Sequence, residues 1–155
     1  MNNITDYFGA EEAILARLKE LVTEVKPAHV MTPFSVADMM ESSQPSPSLH
    51  VIYAGDIVAN AGNAAPGERR PGQTRQPIDQ RWLIILAVRS AKAQLQDTAE
   101  IRSKAGVIIP KVLDALQGWA PVEWMRPLSR VGGPAAGYSS SFAYFPFMFE
   151  GRIVT

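Results

Sequence analysis

The stretch "QRWLIILAVRS", residues 80–90, decides the fold. Trp82, Ile84, Leu86 and Val88 alternate with Leu83, Ile85 and Ala87, so the segment is apolar on both faces. That is the pattern of a central strand covered on both sides. Its apolar run, residues 82–88, is far short of the roughly 20 residues a membrane helix needs. The start "MNNITDYFGAEE" has neither a basic n-region nor an apolar core, which points away from a secretory signal. A soluble, cytoplasmic protein is the expectation.

Working outward, residues 98–117 switch to helical spacing, with Ile101, Ala105, Ile108, Ile109, Val112, Leu113 and Leu116 on one stripe. Pro110 lies inside this segment, and its ring meets the carbonyl four residues back at a cost of about 3 kcal/mol relative to Ala. That earlier residue is Gly106, which accommodates a kink, so one bent helix is expected. It stops hard at "LDALQGWAPVEW", residues 113–124. Gly118 supplies the left-handed turn of a helix end, and Pro121 forbids continuation. Trp119 is placed to fold back and seal the helix against the sheet, and Trp82 reads as core.

On the N-terminal side, residues 7–25 form an amphipathic helix with Ile14, Leu18, Leu21, Val22 and Val25 on its apolar stripe. Asp6 is a candidate N-cap. "SVADMMESS" predicts one or two helical turns begun by Ser35, and "LHVIYAGDIV", residues 49–58, predicts a strand. Residues 59–79 carry three Gly, three Pro and three Arg with almost nothing to bury, and predict a long loop. "RPLSRVGG" predicts a short strand ended by a Gly pair. "SSSFAYFPFMFEGRIV" predicts an aromatic-rich final strand, part of which Pro146 demotes to an edge or a bulge. The order points to one α+β domain over residues 1–155, a mainly antiparallel sheet with two principal helices packed on it.

Composition bounds the function. The chain has no Cys, so disulfides and thiolate metal sites are excluded. Its formal charge is zero, but unevenly distributed. Residues 1–60 hold three basic and eight acidic side chains, net −5, and the remainder holds twelve and seven, net +5. Such asymmetry suits a polyanion, head-to-tail association of copies, or simple intramolecular pairing.

No catalytic constellation emerges. His29 and His50 have no metal-ligand partners at usable spacing, and His50 reads as a surface or interface residue. "GNAAPGER", residues 62–69, has P-loop glycine spacing, but Glu68 stands where the phosphate-binding Lys must be. "GYSSS", residues 137–141, lacks the second Gly of a nucleophile elbow and reads as a turn. Asp38, Asp56 and Asp79 are scattered acids with no visible pairing. Catalytic, cofactor and metal sites are therefore expected to be absent. The most interesting polar group is Arg69, Arg70 and Arg75, three guanidinium groups on one Gly/Pro-rich loop that could hold phosphate, a neighbouring subunit's carboxylates, or only solvent. The loop has no aromatic residue for base stacking.

The segments "AEEAILARLKEL", "LHVIYAG", "QRWLIILAVR", "AGVIIPKVLDALQGWAP" and "YFPFMFEG" together resemble the tail terminator (tail completion) proteins of long-tailed bacteriophages, in particular the family related to the Mu-type terminator. "AG.....V..AL.GW.P", Ala105 to Pro121, is the most specific part. The resemblance implies a structural virion protein that forms a hexameric ring, caps the finished tail tube, stops its polymerisation and offers a surface for head attachment. The implied partners are further copies of the chain, tail tube protein and head–tail connector or neck proteins. Sheath protein is a further candidate, and DNA passes through the lumen. No membrane and no cofactor are implied. The loop at 59–79 looks long for the pattern, and its three arginines would suit a DNA-conducting lumen. The competing readings are a small nucleic-acid-binding module and another ring-forming head–tail connector protein.

Overall fold

The computed structural model of the chain describes residues 4–33, 35–41, 44–58, 75–89, 99–139 and 141–155, the side chains of Met40 and Glu41 excepted. Its centre is β3 (Pro77–Arg89), the strand of the opening stretch, paired antiparallel on one side with β2 (Ser48–Val58) and on the other with β6 (Phe142–Val154). Beyond β2 lies β1 (Val30–Met31), and beyond β6 lie β4 (Ser129–Val131) and β5 (Gly137–Tyr138). All pairings are antiparallel except β1 with β2, so the sheet is mixed. The class is α+β, as expected, with one parallel pair added by the short connector after the first helix.

β3 begins at Pro77, so residues 77–79 belong to the sheet and not to the expected 59–79 loop. Residue 79 lies opposite Arg152 in the ladder, and Gln76 exchanges backbone hydrogen bonds with Thr155 at 2.9 and 3.0 Å. The remainder of that loop, residues 59–74, lies outside the described residues.

β6 runs against β3 from Phe142 to Val154 without a register shift, so Pro146 makes no bulge there. The exchange between Gln76 and Thr155 turns odd-numbered β6 residues toward β3. The Arg126 N–H donated to the Arg152 carbonyl shows that even-numbered ones face away. Pro146 is therefore turned to the outer side, between the stretches covered by β5 and β4, where its missing N–H costs no bond. The edge expectation holds locally, and the bulge expectation does not. The bulge of the sheet is in β2, between Tyr53 and Asp56, where Gly55 takes φ +93°.

Helices α1 (Gly9–Leu21) and α3 (Ala99–Leu116) pack on one face of the sheet. Arg17 Nε donates to the Ala115 carbonyl and Lys111 pairs with Glu24, so the two helices run antiparallel. Ala10, Ile14 and Leu18 point into the core, whereas Leu21 departs from its expected stripe and is exposed. Phe8 occupies the N-cap position without a side-chain bond, and Asp6, two residues earlier, accepts the Phe8 N–H at 3.0 Å. α3 is a single helix with Pro110 inside it. Facing α1 and α3 are Leu49, Val51, Trp82, Ile84, Leu86, Val88, Phe147, Phe149 and Ile153. The opposite face buries Ile52, Leu83, Ile85, Ala87, Phe142 and Tyr144 with Met39 of a six-residue helix, α2 (Val36–Glu41). Ser35 begins α2 as expected, its Oγ accepting the Asp38 N–H at 3.2 Å.

Candidate functional site

The helix-covered face is apolar except at the Tyr7 end, where buried Gln80 donates to the Tyr7 carbonyl at 2.7 Å and Asp56 accepts from the hydroxyls of Tyr7 and Tyr53, so most of the charged chemistry collects elsewhere. Where β2, β3 and β6 run on past α2, the opposite face carries charge at successive outward positions. Asp79 and Arg81 of β3 lie directly across from Arg152 and Glu150 of β6. Arg152 grips Asp79 in two parallel bonds, Nε to Oδ1 and Nη2 to Oδ2, each 2.8 Å. Arg81 Nε donates to Glu150 Oε1 at 2.7 Å. Fork-on-carboxylate geometry of this kind is the strongest ion pairing available to these groups. Its imprint is that the Arg152 guanidinium holds the Asp79 carboxyl below its ordinary value, with Arg81 adding to the same effect.

A third arginine reaches this quartet by way of the core. Met125 and Leu128 are buried on the helix side against Gly151, where a Cβ would meet the Met125 sulfur and Leu128 Cδ2, the latter at 3.0 Å. Only glycine lets this segment sit so close. Seating Met125 and Leu128 leaves Arg126 and Pro127 outside, and the Arg126 N–H bonded to the Arg152 carbonyl at 2.9 Å fixes its position along the strand. The result is a polar pocket of about 220 Å³ lined by Asp79, Arg126, Pro127, Ser129, Glu150 and Arg152. Among the described residues, no carboxylate lies within ion-pair distance of Arg126. Arg130 turns to the other face, stacked over the Phe147 ring at 5.0 Å.

Of the sequence-predicted cations, Arg75 is exposed at this same end, just before β3, while Arg69 and Arg70 lie outside the described residues. The scattered acids all find partners: Asp38 with Ser35, Asp56 with the hydroxyls of Tyr7 and Tyr53, and Asp79 with Arg152. His50 is not at the surface. It is 2% exposed on the α2 side, its Nε2 2.9 Å from Ser48 Oγ, and burial pushes its pKa down to about 4. A strand start reads as exposed in sequence, but here parallel β1 covers it. Among the described residues, no group of three or more His, Cys, Asp or Glu side chains could hold a metal.

The helix-stop corner is structural. Gly118 takes φ +75° and donates its N–H to the Leu128 carbonyl at 2.8 Å, and Leu128 returns a bond to the Trp119 carbonyl at 2.9 Å. Trp119 is half-buried, with the Arg17 guanidinium 4.6 Å from its ring centroid, so it closes the seam between α3 and α1. The expected seal against the sheet falls instead to fully buried Trp82. Trp124 packs beside Gly9 at the start of α1, which is why α1 begins with a residue lacking a side chain.

Sequence reading missed Arg152 and Glu150 because they meet residues about seventy positions away, and Arg126 because the backbone of Arg152 that holds it lies on a later strand. The available signal was opposite charge at alternate positions near the ends of two strands, Asp79 and Arg81 against Glu150 and Arg152.

Fold and surface define an α+β domain with helices on both faces of its sheet, whose described polar residues largely satisfy one another. The chain belongs to the phage tail terminator family: the family model described as phage tail terminator protein matches residues 4–155, nearly its whole length. It is therefore a structural protein of a bacteriophage tail, a virion component. No curated protein matches the chain. Among the described residues, no helix is long and apolar enough to cross a membrane.

Proposed function

We propose that the protein assembles as a ring of six subunits on the end of the tail tube, where it stops polymerisation and presents a surface to the head's connector. The match to the tail terminator family along residues 4–155 carries this reading. The outer edge of β2 supports it. Among the described residues, β1 covers only Leu49 and His50 of that edge, and Phe8, Ile57 and Val58 beside the stretch left uncovered by them are 48%, 44% and 57% exposed. An open strand edge bordered by exposed apolar side chains is a surface that association covers. A head-to-tail contact of this kind closes into a ring when its rotation permits. Assembly takes place in the host cytoplasm, with tube protein, neck proteins and sheath protein as partners, and the relationship within the family is to Mu-type terminators.

We assign Arg69, Arg70 and Arg75 to contact with DNA in the lumen, Arg69 and Arg70 lying outside the described residues. Replacing all three by Ala is expected to lower infectivity, and unchanged ring assembly, capping and plaque counts would remove that assignment. Electron microscopy of the purified protein with and without tail tubes tests the ring. A free nucleic-acid-binding module would instead give a monomer or dimer whose DNA affinity falls steeply with salt. The paired states of Arg81, Arg152 and Lys111 leave that reading with less basic surface than composition suggests.

A further inference from the structure

We infer that the pocket formed by Arg126, Arg152 and Ser129 is a docking socket for a carboxylate side chain of the tail protein beneath the ring. This inference rests on the tail-tube reading above.

Three observations converge on it. Arg126 is held over the pocket by its own backbone, through the N–H bonded to the Arg152 carbonyl, and by buried Met125 and Leu128 on either side. Its Cα is thus fixed beside the pocket, and its guanidinium has no carboxylate partner among the described residues. The two carboxylates of the pocket wall are already engaged, Asp79 by both donors of the Arg152 fork and Glu150 by Arg81. With Arg126, Arg152 and Arg81 set against Asp79 and Glu150, the socket is one positive charge in excess. It also holds the Ser129 hydroxyl, on the strand position opposite Glu150.

The class of ligand follows from the same wall. A guanidinium fork matches a carboxylate in two parallel bonds. Nucleic acid presents a row of phosphates, and Asp79 and Glu150 would repel those on either side of the one bound. A volume of about 220 Å³ accepts the end of one acidic side chain and not a polyanionic strand. Polar sockets of this type contribute orientation and register to an interface.

The test compares the full-length chain with Arg126→Glu, Arg126→Gln and Arg126→Lys, measuring co-sedimentation with purified tail tubes and, separately, fluorescence anisotropy with duplex DNA. Arg126→Glu is expected to weaken tube binding about tenfold or more, Arg126→Gln less, and Arg126→Lys least. DNA affinity and melting temperature should stay as in the wild type. Tube binding unchanged in Arg126→Glu and Arg126→Gln overturns the socket. So does a loss confined to DNA, which would make phosphate the ligand. If the wild-type chain itself ignores tubes, the tail-tube reading falls and the socket falls with it. Wild-type binding with indifferent variants removes the socket alone.

Discussion

The two faces of the sheet are built from the same strands and do different work. On the face covered by α1 and α3, every β3 position from Trp82 to Val88 that points inward is buried and apolar. On the other face, the same strand passes from Leu83 and Ile85 under α2 to half-buried, ion-paired Arg81 and Asp79. Alternation assigns each residue to a face, but only the length of the covering helix decides where burial ends. α2 has six residues, so beyond it the face turns charged. The contrast predicts that substitutions on the helix side act on stability, whereas exposed ones at the charged end act on binding.

Trp82→Ala gives the largest effect expected. Removing a fully buried indole from the helix side should cost about 3–5 kcal/mol, read by denaturant unfolding; a loss below 1 kcal/mol would deny that face its role as the core. Gly151→Ala comes next, at about 1–3 kcal/mol, since the new methyl overpacks against Met125 and Leu128. It should also displace Arg126, so weakened tube binding together with lost stability would tie the two faces to each other. Trp119→Ala removes a half-buried ring at the α1–α3 seam and should cost about 1–2 kcal/mol, less than truncation of a fully buried indole. An unchanged melting temperature would show that this side chain serves a contact between subunits.

Acid should act through the α2 side. His50 keeps its neutral form down to about pH 4 in the folded chain, against an ordinary value of 6.5. The unfolded chain therefore binds the extra proton as pH falls between those values, and stability declines across that window. Asp79 adds a second loss at lower pH, because its depressed carboxyl stabilises the fold above the ordinary carboxylate range and stops doing so as it protonates. Melting temperatures at pH 7 and pH 4.5 should differ by several degrees in the wild type and by less in His50→Gln. Equal melting temperatures would place the imidazole in contact with water.

Elements whose periodicity is local were readable from the sequence: the central strand, the two long helices, the short helix begun by Ser35 and the final strand. Those created by pairing were not. β1 is two residues with no pattern of its own, and it exists because Val30 and Met31 lie alongside Leu49 and His50. Pro77 to Asp79 look like loop until Arg152 and Val154 are set opposite them. The same blindness hid the pocket. Clustered loop arginines catch attention because they are neighbours in sequence, whereas Arg126 and Arg152 become neighbours through the bridge of Met125 to Ile153. The helix-stop motif had the opposite fate. Its chemistry was legible residue by residue, but its packing partner was the antiparallel helix and not the sheet.

The most direct test of the central claim is the length distribution of tail tubes polymerised with and without this chain, imaged by electron microscopy. The account predicts tubes of defined length, each carrying one ring of additional density at a single end when the chain is present, and overgrown uncapped tubes without it. Identical length distributions and bare ends under both conditions would contradict it.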